Sequence, residues 1–373
     1  MVRRSFRRFV GRGAPAVLGV VVAAGLLAFG SPAQASTLTQ NLTWTVDRSG
    51  TSTKYRVVAY GDSIYAGYYG SISSVAVRAA PTVDGEYLST LWNADIEVVR
   101  RTKSGALAGD IYNNKIVSER SYMQASTTRV VTFEMCGNDG LQARSNFAGQ
   151  SGTCNYAPLN TALANCTTYT QAAMQAINTY AHANTKVKIV GNLYYPGYNA
   201  DNGLSTCNDS STGQKVNKQN VFLPYIARMN WRACNVANQY GFQCADNFAQ
   251  YMGAEYDANG DGVVDAEALK YVQGESENAY VTRLTTTLRS TIRDANFHLA
   301  SASTSYDYIQ SDNTHPTYSG GTKYLGLIGG SGSGSGAPTY SNSQIVGGKN
   351  PIWNRNGHDR MGWAISVFNP ATP

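Results

Sequence analysis

What most constrains this chain is a rhythm of short, β-branched apolar runs that stop abruptly at small polar residues, spaced by stretches of helical periodicity. The first run, Arg56-Val57-Val58-Ala59-Tyr60, breaks at Gly61-Asp62-Ser63. Ile96-Glu97-Val98-Val99 leads into Lys103-Ser104-Gly105-Ala106, and Thr128 to Met135 leads into Cys136-Gly137-Asn138-Asp139-Gly140. Val187 to Asn192 opens into a loop rich in Tyr, Gly and Pro, and Gly241 to Asp246 reads as a short fifth strand. Between these runs, Leu163, Cys166, Thr170, Ala173, Ile177 and Tyr180 recur at three- and four-residue steps, the mark of a helix with one buried face over Leu159 to Ala183. Residues 219–239 and Glu275 to Asn296 read as further helices. Strands and helices alternating at these lengths predict an α/β domain with a mainly parallel five-stranded sheet covered on both faces.

The ends of the chain read differently. Residues 1–35 carry Arg3, Arg4, Arg7, Arg8 and Arg12, then an apolar run from Ala14 to Phe29, then Ala33-Gln34-Ala35, the pattern of a cleaved signal peptide. The expectation is a secreted, extracellular protein. Loss of these five arginines takes the formal net charge from +6 to +1, so the basic balance belongs mostly to the leader. No basic patch interleaved with aromatics remains to argue for nucleic acid, and no second apolar segment is long enough to span a bilayer. A monomer is expected. Residues 36–55 are Thr/Ser-rich and read as an edge strand or an irregular lead-in to a catalytic domain over 56–330. Ser331-Gly332-Ser333-Gly334-Ser335-Gly336 reads as a flexible linker by composition, and 337–373 as a tail or small appendage.

In an open α/β sheet, ligands bind beyond the carboxyl ends of the strands, which is where Ser63 falls. A serine hydroxyl is too weak an acid to attack an ester unaided; it needs a base within hydrogen-bond reach and donors for the oxyanion that forms. Of the four histidines, His315 alone has an acid three residues before it and a proline after it, in Asp312-Asn313-Thr314-His315-Pro316. Asp312 would hold the imidazole in the tautomer that accepts the serine proton. Gly105 would present an unobstructed backbone N–H, Asn138 a side-chain amide and Ser63 its own N–H to one oxyanion. Taken singly, Gly105 also reads as a turn glycine and Asn138 as an Asx-turn former.

Gly61-Asp62-Ser63, Gly105, Asn138-Asp139 and Asp312-x-x-His315 resemble, in order and approximate spacing, the four blocks of the SGNH (GDSL) hydrolase superfamily, particularly its secreted actinobacterial-type esterases and lipases. The resemblance covers about residues 56 to 325. It implies Ser63 as nucleophile, Gly105 and Asn138 as oxyanion donors, His315 as base and Asp312 as its orienter. It also implies a flavodoxin-like α/β/α fold in three layers and acyl-ester hydrolysis with no cofactor. Two departures stand out. Cys136 occupies the place of a family glycine, where a disulfide would stiffen the oxyanion loop, and the stretch before Asp312 is longer than in small members.

Six cysteines in an exported chain point to three disulfides, with 15 connectivities open. The expected set is Cys154 with Cys166 and Cys234 with Cys244, leaving Cys136 for Cys207. Within the longer stretch, Asp257, Asn259, Asp261 and Asp265 place oxygen ligands at positions one, three, five and nine of a calcium loop with glycine at six. Ala268 stands at position twelve, where a bidentate acid is expected, so structural calcium competes with a solvated acidic turn. Tyr65, Tyr68, Tyr69, Tyr194, Tyr195 and Tyr198 follow two strand ends and are expected to wall a cleft for a small-molecule or lipid ester, or to pack the loops. The leading expectation is a secreted serine esterase or lipase. A carbohydrate O-acetyl esterase and a secreted glycan-binding protein without catalysis are the alternatives.

Overall fold

The computed structural model describes residues 38–48, 50–70, 74–253, 265–294, 308–318, 325–335 and 356–373. The chain divides into two compact units, Met1–Ser31 and Pro32–Pro373, and every described residue belongs to the second. The expected leader lies outside the described residues, as do Asp257, Asn259 and Asp261. The backbone of Asp265 opens a short helix, Asp265–Leu269.

Eleven strands are described: β1 Leu42–Asp47, β2 Lys54–Gly61, β3 Ser74–Ala76, β4 Asp95–Thr102, β5 Thr128–Glu134, β6 Val187–Gly191, β7 Leu204–Asn208, β8 Lys215–Asn217, β9 Gln243–Ala245, β10 Leu325–Leu327 and β11 Ser331–Ser335. Seven form one sheet in the order β11-β1-β4-β2-β5-β6-β9. From β4 to β9 every pairing is parallel. Those five strands are the five expected from the sequence, and their chain order across the sheet, 2-1-3-4-5, is the flavodoxin-like order. The reason is visible in β2, whose Val57, Val58, Ala59 and Tyr60 are all 0% exposed. A run that is apolar at consecutive positions can be satisfied only by cover on both faces.

That cover comes from helices: α1 Ser63–Ala66, α2 Ala80–Trp92, α3 Ala108–Asp110, α4 Gly137–Ala148, α5 Ala157–Tyr180, α6 Lys218–Gln239 and α7 Asn247–Met252. α4, α5 and α6 pack together as one group, whereas α2, α7 and the C-terminal helix Gly357–Ser366 form another. The sheet between them makes three layers. No helix among the described residues is long and apolar enough to cross a membrane.

The structure corrects four sequence expectations. The sheet has two strands more than the five foreseen, because the lead-in becomes β1, antiparallel to β4, and the Ser/Gly repeat becomes β11, parallel to β1. The repeat is therefore an edge strand rather than a linker over Ser331–Ser335. Its glycines make room for an indole: a Cβ at Gly332 would lie 2.5 Å from Trp44 Cζ3, and one at Gly334 2.9 Å from Cζ2. The aromatic ring covers the strand where Gly332 and Gly334 present no side chain. Second, the described part of the tail is built into the domain. Trp363 packs with Val83 and Tyr87, Arg78 pairs with Asp359 at 3.2 Å, and Trp92 Nε1 donates to the Pro370 carbonyl at 2.8 Å.

Third, the helix expected over Glu275 to Asn296 is shorter, Glu277–Thr282 followed by a π turn over Arg283–Thr287. Thr285 and Thr286 donate their hydroxyls back to the carbonyls of Val281 and Thr282, a local competition that loosens helices. Fourth, the disulfides are Cys136–Cys166, Cys154–Cys207 and Cys234–Cys244, so only the last pair is as expected. Loop length favoured Cys154 with Cys166. α5, however, starts at Ala157 and carries Cys166 toward β5, while Cys154 pairs by backbone with Asn208 beside Cys207.

Candidate active site

β2 delivers the chain to a tight turn and then to α1. Asp62 caps that helix, its Oδ1 accepting the Ile64 N–H at 2.8 Å, so Ser63 is the first helical residue. Gly67 in the left-handed region (φ +70) ends the helix after one turn. Ser63 is thereby held at the carboxyl end of a central strand, 4% exposed.

The segment 308–318 brings His315 to it from far along the chain. His315 Nε2 lies 2.9 Å from Ser63 Oγ, and His315 Nδ1 lies 2.6 Å from Asp312 Oδ2. The backbone N–H groups of Thr314 and His315 each donate to Asp312 Oδ1 at 3.0 Å. Partial burial works against ionisation of Asp312, but the bonds from the His315 ring and the two N–H groups outweigh it and hold the carboxyl below its ordinary range. The ring of Tyr68 lies on the imidazole, with centroids 4.4 Å apart. His182 sits in the turn after α5. His358 is fully buried, where burial lowers its pKa to about 3, and its Nδ1 accepts the Ala80 N–H at 3.3 Å. His298 lies outside the described residues.

Three strand-end loops meet beside Ser63. The Asn138 amide donates to Asp62 Oδ2 at 3.0 Å and to the Ala106 carbonyl at 3.1 Å, which ties the loops after β2, β4 and β5 into one unit. Both amide hydrogens are thus engaged in the free protein, and one must be exchanged for Asn138 to reach an oxyanion. Gly105 takes φ +72, a conformation other residues avoid. Among the described residues neither the Gly105 N–H nor the Ser63 N–H has an acceptor, so both remain free to donate. Asp139, buried on α4, accepts the Ala108 N–H at 2.9 Å and fixes the start of α3; burial lifts its carboxyl to about 6.

Cys136 has φ +82, the left-handed region in which glycine is at ease. A glycine, the residue that the SGNH resemblance implies at this place, would adopt it freely. The Cys136 disulfide to Cys166 on α5 anchors the loop that carries Asn138, whereas the sequence reading had expected Cys207 as partner.

The tyrosines divide. Tyr68 and Tyr194 reach the His315 segment, the latter donating its hydroxyl to the Thr314 carbonyl at 2.6 Å, and half-exposed Tyr69 meets Tyr318 edge to face. Tyr65, Tyr195 and Tyr198 pack inward instead, with Tyr65 bonded to Thr132 Oγ1 at 3.0 Å and Tyr195 to Asp201 Oδ2 at 2.8 Å. Sequence reasoning passed over Glu134, the last residue of β5. Its buried carboxyl accepts the Asp62 N–H at 2.8 Å, directly under the serine turn. A carboxylate closing a strand that is buried at most positions is the one signal that marked it.

A serine hydroxyl lined up with an imidazole and a carboxylate, beside two open N–H donors, has the parts for nucleophilic attack on a carbonyl and for holding the resulting oxyanion. No protein-family model matches this chain, and no curated protein matches it. Among solved structures it is similar to a lipase from a goat rumen metagenome, at 16% identity over 64% of this chain and 97% of that one, with a TM-score of 0.39. It is similar to phospholipase A1 from Streptomyces albidoflavus NA297 at 15% identity over 64% and 99%, with a TM-score of 0.40. A third similar structure is a catalytic mutant of an acetylxylan esterase from Geobacillus stearothermophilus, at 11% identity over 67% and 98%, with a TM-score of 0.34.

Proposed function

We propose that this chain is a secreted serine esterase or lipase that hydrolyses carboxylic acyl esters through an acyl-enzyme on Ser63. The observation that carries the reading is the line from Asp312 Oδ2 through His315 to Ser63 Oγ, with contacts of 2.6 and 2.9 Å. Ser63 Oγ attacks the ester carbonyl while His315 Nε2 takes its proton, and Asp312 steadies the imidazolium that results. The oxyanion is received by the N–H groups of Ser63 and Gly105 and by the Asn138 amide once it releases one of its partners. His315 then returns the proton to the leaving alcohol. Water, deprotonated by the same imidazole, cleaves the acyl-enzyme and frees Ser63. Each step is assigned to a group of this chain, and no cofactor enters the proposal.

Tyr68, Tyr69 and Tyr318 offer apolar rings with polar tips beside the base, which suits short- to medium-chain and lipid-like acyl esters. A fluorophosphonate probe should label Ser63 alone, and labelling elsewhere would sink the nucleophile assignment. The substrate class is tested by kcat/KM for p-nitrophenyl acetate, butyrate and octanoate against acetate release from acetylated xylan. A strong preference for xylan moves the assignment to a carbohydrate esterase.

A further inference from the structure

Glu134 is 3% exposed, at the end of the strand next to β2, and the proposed reaction makes no use of it. Its surroundings are cleared for it. A Cβ at Gly61 would fall 2.5 Å from Glu134 Oε1, so that position admits only glycine while the carboxyl stays where it is. On the other side its register partner is Gly191, where a Cβ would fall 2.8 Å from Asn247 Nδ2 and 3.2 Å from Tyr65 Oη. Gly61 thus leaves room for the carboxyl itself, and Gly191 for the Tyr65 and Asn247 side chains next to it. That acid meets the nucleophile turn at the residue before the serine, through the Asp62 N–H.

Asp62 is the hub of the turn. Its carboxylate accepts Ile64 N–H, which starts α1, and the Asn138 amide, which brings in the oxyanion loop. Asp62 and Glu134 are two buried carboxyls in contact, and both cannot carry charge. The titratable groups around the pair are Tyr65 of α1, Tyr194 from the loop after β6, Asp139 of α4 and His315. Asp62 accepts the Ile64 N–H and the Asn138 amide, and Glu134 accepts the backbone N–H groups of Asp62 and Tyr65, so donors alone do not separate them. The Asp62 charge acts on the more strongly raised Glu134, where the shared proton belongs. Burial and then the Asp62 charge push the Glu134 carboxyl well above its ordinary range.

From this geometry we infer that Glu134 is a positioning residue for the nucleophile turn, acting in its acid form as the link that sets Asp62 and, through Asp62, both Ser63 and Asn138. The inference rests on the esterase reading of Ser63. In its acid form Glu134 accepts the Asp62 N–H with one oxygen and donates its proton to the Asp62 carboxylate with the other. When it ionises, that second bond becomes a repulsion between like charges and the turn is displaced. Because the folded state holds this proton more tightly than the unfolded chain does, the link is complete at low pH and is lost as pH rises through the raised value.

The test compares Glu134→Gln and Glu134→Ala in the full-length protein, with kcat and KM for p-nitrophenyl butyrate followed across pH and folding checked by circular dichroism. Glutamine keeps one acceptor and one donor and cannot ionise. Its kcat should stay within about threefold of wild type near neutrality, and the alkaline fall in kcat expected of wild type should be absent. Alanine removes both bonds and should lower kcat about 100-fold with KM little changed, the scale of a small misplacement of a reacting group. Three outcomes overturn the inference: Glu134→Ala as fast as wild type, Glu134→Gln as slow as Glu134→Ala, or an alkaline limb that persists in Glu134→Gln. If fluorophosphonate leaves wild-type Ser63 unlabelled, the esterase reading falls and this inference falls with it. If wild type is labelled and any of the three outcomes is found, the inference alone is lost.

Discussion

The two arms of the candidate site are built in opposite ways. Ser63 follows β2, a strand flanked by parallel partners on both sides and buried to 0% exposure over Val57–Tyr60. His315 stands on a segment whose own pairing is a single bridge, Ile309 to Pro316. That segment is held from outside. Tyr194 bonds the Thr314 carbonyl, and the Gln310 amide reaches across to the Tyr68 carbonyl at 2.8 Å while also bonding the Pro316 carbonyl at 2.7 Å. The C-terminal helix adds the His358 N–H, which donates to the Thr317 carbonyl at 2.9 Å, and Tyr251 Oη anchors that helix by donating to the Gly357 carbonyl at 2.6 Å. The position of Ser63, the proposed nucleophile, is therefore a property of the sheet. The position of His315, the proposed base, is a sum of contacts among segments remote in sequence, and it should be the easier arm to detune.

Changes that break the comparison outright come first. Ser63→Ala should reduce ester turnover by at least about 10⁴-fold and leave the melting temperature nearly unchanged, because it deletes one oxygen from a packed strand end. His315→Ala should be nearly as damaging. Comparable turnover in either variant and wild type would refute the triad. Asn138→Ala should lower kcat by about 100- to 1,000-fold with KM little changed, since the amide serves the transition state and also ties Asp62 to Ala106. A change confined to KM would contradict that role.

Asp312 tests the arm through pH. Its carboxyl is held below the ordinary value, so the stability that it contributes is complete above about pH 4 and is lost as pH falls through the lowered value. Asp312→Asn should therefore make the melting temperature of the protein less sensitive to acid below about pH 4 than wild type is. Identical acid profiles would remove the pairing with His315 from the account.

The smaller effects sharpen the contrast. A Cβ at Gly357 would lie 2.2 Å from the Tyr308 carbonyl and 2.8 Å from Pro316 Cβ, so Gly357→Ala should shift the base segment. Turnover should drop about 10- to 100-fold, an effect of a residue remote in sequence from both Ser63 and His315. Wild-type kcat in Gly357→Ala would mean that the C-terminal helix does not position the base. Tyr194→Phe removes one hydrogen bond, about 1 kcal/mol, and should cost only a few-fold in kcat. A loss as large as that of Asn138→Ala would point to a direct role for the hydroxyl in the reaction.

How much of this could be read beforehand follows from which interactions are local. Gly61-Asp62-Ser63 after a run of β-branched residues is legible, because a strand covered on both faces must be apolar throughout and must turn polar where it leaves the sheet. Asp312 and His315 are legible because three residues of separation let one loop present both side chains to each other. Glu134 was not legible as a partner of the turn, since nothing in Thr132-Phe133-Glu134-Met135 tells which neighbouring strand end its carboxyl meets.

The amino-acid sequence by itself determined the five parallel strands, their connecting helices and the residue types at three strand ends, because periodicity and turn chemistry act over a few residues. Only the tertiary structure decided that Cys136 pairs with Cys166, that a Ser/Gly repeat lies as an edge strand under Trp44, and that the C-terminal helix braces the base. It also decided that Glu134 comes to rest under Asp62. Each of these joins groups far apart in the chain, and their meeting depends on how the sheet and its helices pack rather than on any preference of the residues between them.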